Sequence, residues 1–98
     1  MTDRNTYIEQ AKAHIQKWDA QLDKMAADAK TAQADTKIAL EERVNELRAE
    51  RDKAVAKLEE LGSASDAAWG DMKAGVENAF KHVSNAFETA SDRFKKAS

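Results

Sequence analysis

Residues 26–39 read AADAKTAQADTKIA, and this stretch decides whether the chain forms one long helix or two shorter ones. It contains neither glycine nor proline, and six of its fourteen residues are alanine, the strongest helix former. Asp35 or Thr36 would suit the start of a new helix, but no residue before them ends the preceding one. The stretch therefore favours a continuous helix over a turn near Asp35.

Apolar heptad repeats lie on both sides of this stretch and extend into it. Their members follow one another at steps of three and four, which keeps a narrow apolar seam on one side of a helix. The first run contains Ile8, Ala11, Ile15, Trp18, Leu22, Met25, Ala29, Ala32 and Thr36. The second run starts one residue out of frame and contains Leu40, Val44, Leu47, Arg51, Ala54, Leu58 and Leu61. A continuous helix absorbs such a slip by local unwinding, and a turn is the other explanation.

The ends of the helices carry sequence signals of their own. Thr6 and Glu9 form a T-x-x-E capping box, which places the start of the first helix near residue 6. The clearest break is GSAS at 62–65, whose glycine suits the left-handed position after a helix end. Ser63 and Asp66 suit the start of the next helix.

The last third of the chain is a second amphipathic segment. It begins near residue 65 and ends near residue 96, and its apolar positions again follow at steps of three and four. All three phenylalanines lie on this face. The face contains Trp69, Met72, Val76, Phe80, Val83, Phe87, Ala90 and Phe94.

Composition excludes most other folds. The 98 residues suffice for a single domain, and they include no cysteine, no proline and three glycines. Disulfide frameworks, thiolate zinc sites and sheet-rich domains therefore do not fit. Sixteen basic and eighteen acidic side chains give a net charge of −2, too small and too mixed to attract nucleic acid. The polar N-terminus and the lack of a long apolar run predict a cytoplasmic protein.

We therefore expect an all-α protein with one coiled-coil domain over residues 1–98. A long helix over about 6–61, a turn at 62–65 and an antiparallel helix over about 65–96 form a coiled-coil hairpin. The predicted helix–helix interface consists of Ile8, Ile15, Trp18, Leu22, Met25, Leu40, Val44, Leu47, Leu58, Trp69, Met72, Phe80, Val83 and Phe87. The hairpin turn pairs Phe80 with Leu47 and Phe87 with Leu40, so that large side chains meet throughout.

Such a hairpin leaves residues 6–30 without a partner helix. An apolar stripe from Ile8 to Met25 would then lie in water, and a stripe of that length does not stay exposed. Pairing with a second copy buries it, so the hairpin predicts a homo-oligomer, with a dimer as the first choice. The alternative is a three-helix bundle with an extra turn near Asp35, which pairs Leu22 with Leu47 and Met25 with Val44.

No catalytic, cofactor-binding or metal-binding residue is predicted. His14 and His82 have no carboxylate or second histidine three or four positions away, so neither helix surface offers a metal site. Phosphate loops, nucleophile elbows and H-E-x-x-H motifs are missing from the sequence, which predicts a protein that is not an enzyme. Arg51 and Thr36 occupy seam positions, where a polar residue can select the register or the partner because it penalises wrong alignments. For Arg51 we favour the other interpretation, in which its stem packs while its guanidinium reaches water.

The predicted function is assembly, through self-association or through binding another helical protein by coiled-coil seams. The alternative is a membrane-surface protein that binds lipid through its 65–96 segment, since aromatic anchors on one face of an amphipathic helix are typical of lipid binders. Against this alternative, residues 65–98 contain five basic and five acidic side chains, without the cationic excess that anionic lipid attracts.

Three stretches of the chain resemble a group of short bacterial coiled-coil proteins, described as stress-response or coiled-coil domain-containing proteins. They are DRNTYIEQAKAHIQKWDAQLDKM, ADTKIALEERVNELRAERDKAVAKLEELG and AWGDMKAGVENAFKHVSNAFE. Together they cover nearly all of the chain from Asp3 to Phe87, and K-W-D at 17–19 is among their most distinctive points. The third segment is also similar to apolipoprotein-like amphipathic repeats. The first resemblance implies a soluble, non-enzymatic bacterial protein linked to stress.

Overall fold

Three helices make up the part of the chain that the structure, a computed structural model, describes: residues 4–97, with side chains for residues 4–95. They are α1 (Arg4–Thr31), α2 (Ala34–Gly62) and α3 (Asp66–Ala97), and no strand occurs in this part of the chain. The helices run up, down and up in a rod of 51 × 17 × 17 Å. The all-α prediction is confirmed for these residues.

The predicted continuous helix over 6–61 is wrong, because the chain turns between Thr31 and Ala34. Gln33 is extended, with φ −66° and ψ 154°, and its carbonyl accepts the first hydrogen bond of α2 from the amide of Lys37 at 2.7 Å. Helix propensity favours a continuous helix by less than about 1 kcal/mol per residue. Each large side chain of α1 that is buried against α2 and α3 contributes about 1.5–3 kcal/mol to the stability of the fold. Packing therefore decides the turn, as in the predicted alternative with a turn near Asp35.

The turn between α2 and α3 lies where the sequence places it but uses different residues. Gly62 is the last residue of α2 and its backbone is not left-handed, so the predicted role of this glycine is wrong. Ser63 ends the helix instead, with its amide donating to the carbonyl of Glu60 at 3.2 Å. Ser65, rather than the predicted Ser63, caps α3, since its Oγ accepts a hydrogen bond from the amide of Ala68 at 3.2 Å.

The start of α1 also differs from its prediction. The helix includes Arg4, so Thr6 lies within its first turn and does not occupy the N-cap position of a T-x-x-E box. Residues 1–3 and the side chains of residues 96–98 lie outside the described part of the chain.

One apolar stripe from each helix forms the core, which contains no polar or charged side chain among the described residues. Four of its members are alanines: Ala11, Ala29, Ala54 and Ala90. Its large members are Ile15, Trp18, Leu22, Met25, Leu40, Val44, Leu47, Leu58, Leu61, Val76, Val83, Phe87 and Phe94. The stripe of α1 that would be exposed in a two-helix hairpin is therefore covered by the chain's own α2 and α3.

Candidate functional site

The contact between α1 and α2 is fixed by a paired ion contact at the edge of the core. Arg51 donates from Nε to Oδ1 of Asp19 at 2.8 Å and from Nη2 to Oδ2 at 3.0 Å. Its Nη1 also donates to Oδ1 of Asp52 at 3.1 Å. The hydrogen bonds to Asp19 raise the pKa of Arg51 above its ordinary value. The seam arginine thus reaches a specific partner and not only water.

The same register is seen at the other end of these helices. A methyl group placed on Gly62 would contact Cδ1 of Ile8 at 3.9 Å. The predicted three-helix bundle with a turn near Asp35 places Ile8 opposite Leu61. The observed pairing of α1 with α2 differs from that register by one residue.

Aromatic side chains join α1 to α3. Trp18 is 3% exposed and packs between two phenylalanines, with its ring 4.9 Å from that of Phe80 and 5.9 Å from that of Phe87. The backbones of α1 and α3 approach each other closely at few positions, so these rings fill the space between the two helices. We call the set the aromatic seam; it consists of Tyr7, His14, Trp18, Trp69, Phe80 and Phe87.

The aromatic seam is only partly closed. Tyr7, Trp69 and Phe80 are half-buried, as is the neighbouring Met72, and all four pack against the core from its edge. His14 is exposed and touches Phe80 edge-on at 6.4 Å. Along the side of the rod between α1 and α3, apolar surface therefore remains accessible to a further helix.

Cationic side chains hold the end of the aromatic seam near the α2–α3 turn. Arg4 donates to the carbonyl of Ala64 at 2.7 Å and to Oδ1 of Asp66 at 2.6 Å, and its guanidinium lies 4.6 Å from the ring centre of Trp69. Asp66 is fully exposed, so water screens this ion pair and the carbonyl and ring contacts matter more.

Tyr7 belongs to the same end of the molecule. Its ring meets Trp69 edge-on at 6.0 Å, and the ammonium group of Lys73 lies 5.0 Å from its centre. Burial first, and the negative charge of Glu77 second, raise the pKa of the Tyr7 hydroxyl. The neutral phenol is therefore the form that suits this site.

The pairing of α2 with α3 is displaced from the prediction. The predicted hairpin places Glu50 opposite Glu77, whereas Oε2 of Glu50 lies 3.5 Å from Nε2 of His82. Phe94, by contrast, lines the same cleft as Ala32 and Gln33, which the hairpin register places near it, and it is 6% exposed.

A cleft of about 730 Å³ lies at the end of the rod where α1 turns into α2. Met25, Leu40 and Phe94 form its apolar floor, and Lys24 and Asp28 are among the polar residues of its rim. The rim carries charges of both signs, and the floor consists of core residues. These features are typical of a gap at the end of a helical bundle and less so of a catalytic pocket.

The fourteen predicted interface residues all lie in or against the core. Ten are buried, and Ile8, Trp69, Met72 and Phe80 are partly buried. Sequence reasoning left seven buried residues out of that interface, although each lies on a predicted apolar face: Ala11, Ala29, Ala54, Leu61, Val76, Ala90 and Phe94. It also missed Arg4, Tyr7 and Asp19, which flank the seam and carry no periodic signal.

Among the described residues, no three side chains of histidine, aspartate or glutamate come together as a metal site. None of the described helices combines the length and the apolar character needed to cross a membrane. No protein-family model matches the chain, and neither a curated protein nor a solved structure shows significant similarity to it.

Proposed function

We propose that this chain is a non-enzymatic assembly protein, which acts by packing its helices against those of another molecule, with a second copy of itself as the first partner. The observation that carries the proposal is the partly open aromatic seam between α1 and α3, where Tyr7, Trp69 and Phe80 remain half-buried. Aromatic side chains are enriched at protein interfaces relative to the rest of the surface, and Trp and Tyr are frequent among the residues that contribute most to binding.

The rest of the described surface also supports the side between α1 and α3 as the one that binds the partner. Ile38, at 63% exposure, is the one large apolar side chain that is mostly exposed among the described residues. A single exposed isoleucine is ordinary for a monomeric surface, whereas the half-buried rings of Tyr7, Trp69 and Phe80 form a strip along the boundary between α1 and α3. A role in stress response and a bacterial origin belong to the proposal through the sequence resemblance alone, and a cytoplasmic location through the polar N-terminus and the lack of a long apolar run in the sequence.

The two tryptophans allow a matched test, because the chain contains no others. Trp18→Phe leaves Trp69 as the only indole, half-buried in the strip, and Trp69→Phe leaves Trp18, which is in the core. Acrylamide quenching of each variant is measured from low to high micromolar concentration, beside sedimentation equilibrium of the unmodified chain. We expect a concentration-dependent mass, together with quenching of Trp69 that falls while that of Trp18 stays low and constant. A monomer mass at every concentration contradicts the proposal.

Binding to a lipid surface is the second candidate function, and one observation favours it. Because no polar side chain is buried in the described core, α3 could leave the bundle and enter an interface without stranding a polar group. Vesicles of anionic lipid, added to the Trp69→Phe variant, test this. If α3 leaves, the emission of Trp18 changes, since its neighbours Phe80 and Phe87 move away. Unchanged Trp18 emission in this variant, together with unchanged helicity of the unmodified chain, excludes lipid binding through α3.

A further inference from the structure

The connection between α1 and α2 is unusual because its residues favour the helix that they interrupt. It consists of Ala32 and Gln33, both of which are good helix formers, within a stretch that contains no glycine or proline. The side chain of Gln33 does not cap α2, and the amide of Ala32 donates to the carbonyl of Ala29 at a long 3.3 Å. The tight turn is thus held by the packing of α1 on the rest of the chain and not by local turn chemistry.

We propose that this connection straightens and that two copies of the chain exchange their α1 helices. In the exchanged dimer, α1 and α2 form one helix over residues 4–62, and α1 of each copy packs on α2 and α3 of the other. The inference rests on the proposed self-association but uses the core surface of α1 and not the open strip of the aromatic seam.

Every contact that α1 makes in one chain is available again in the exchanged dimer. The Arg51 guanidinium meets the Asp19 carboxylate of the second copy, and Trp18 enters between the second copy's Phe80 and Phe87. Two tight turns are replaced by helix, which adds backbone hydrogen bonds at Ala32 and Gln33. Short hinge connections of this kind favour exchange of whole elements between copies.

The apolar pattern permits the straight form. From Ala29 the seam continues through Ala32 and Thr36 to Leu40 at steps of three, four and four, which a continuous coiled coil accommodates by local unwinding. The two clefts, each floored by Met25, Leu40 and Phe94, would meet end to end at the centre of the dimer. A continuous helix of that span is about 88 Å long, compared with 51 Å for the closed chain.

A charge-exchange pair tests the proposal directly. Asp19→Arg places two arginines together within one chain, and Arg51→Asp places two aspartates together. When the two variants are unfolded, mixed and refolded, only exchange of α1 pairs opposite charges in both halves of a heterodimer. We expect the heterodimer to exceed either homodimer by about tenfold in native mass spectrometry. Mixtures that contain no such excess overturn the exchange.

Ala34→Pro provides an independent test that does not disturb the closed chain. Residue 34 is the first of α2 and follows the extended Gln33, a backbone that proline accepts, but proline disrupts a continuous helix there. We expect the dimer formed by refolding at high concentration to fall about a hundredfold, whereas Ala34→Ser leaves it unchanged. If the dimer persists in Ala34→Pro, the exchange is wrong while self-association stands. If no variant and no unmodified chain forms a dimer, both proposals fail.

Discussion

Asp19 and Arg51 are 32 positions apart in the sequence, and two parallel hydrogen bonds of 2.8 and 3.0 Å join them across α1 and α2. Both side chains are partly exposed, so the pair selects the alignment of the helices more than it stabilises them. A slip of α1 by one heptad would place residue 12 or 26 against Arg51. Lys12 would repel the guanidinium and Ala26 would not pair with it, which gives the observed register its advantage.

The first prediction concerns this pair. A double-mutant cycle with Asp19→Ala and Arg51→Ala should give a coupling of about 0.5–1 kcal/mol in the free energy of unfolding, measured in urea. Arg51→Ala alone should cost more than Asp19→Ala, because the arginine stem also covers apolar surface. The same cycle with Asp52, whose carboxylate is more exposed, serves as the control and should give a smaller value. Equal couplings would argue against a register role.

The second prediction concerns alkaline pH. The pKa of Tyr7 is raised in the folded chain, so its neutral form contributes stability that is fully present below the unfolded pKa near 10. That contribution is lost as the pH rises through the folded pKa. Tyr7 is the only tyrosine, so tyrosinate absorbance reports on this site alone. Tyr7→Phe should remove this part of the loss of stability above pH 10, whereas lysine deprotonation affects both chains equally. Identical alkaline profiles would contradict the assignment.

The third prediction compares two phenylalanines of α3. Phe87→Ala should destabilise the bundle by about 3–5 kcal/mol, because the ring is 2% exposed and packs on Trp18. Phe94→Ala should cost about 3 kcal/mol, the lower end of that range, since Phe94 borders the cleft and water can fill the space left. Ile38→Ala is the surface control and should change stability by less than about 0.5 kcal/mol. A Phe94→Ala effect as small as the control would place that ring outside the core.

The fourth prediction separates the real helix cap from the predicted one. Ser65→Ala should lower the free energy of unfolding by about 1 kcal/mol, because Oγ of Ser65 accepts from the amide of Ala68 at the start of α3. Thr6→Ala should have almost no effect or a small stabilising one, since Thr6 lies inside α1 and alanine is the better helix former. Thermal unfolding of both variants checks this, and the reverse order would restore the predicted capping box.

The heptad was sufficient to predict the helical class and the core side chains, because apolar periodicity reports directly on the buried face. It did not settle the turn at Ala32 and Gln33, since the two residues carry no turn signal and the cause lies in packing that is distant in sequence. Asp19 is adjacent to a seam position and resembles any other surface carboxylate until a register is known. Phe94 is buried, as its place on the predicted apolar face of the last segment indicates, although it was left out of the predicted interface.

The order of the helices has a consequence for the rate of folding. Most close backbone contacts join residues fewer than 12 positions apart, and between helices α1 packs chiefly on α2 and α2 on α3. Helical proteins with such local contacts fold within microseconds to milliseconds. A chain emerging from denaturant therefore encounters its own α1 long before a second chain diffuses to it at micromolar concentration. The protein concentration during refolding therefore sets how often two chains meet before α1 has docked. The protein concentration after folding does not.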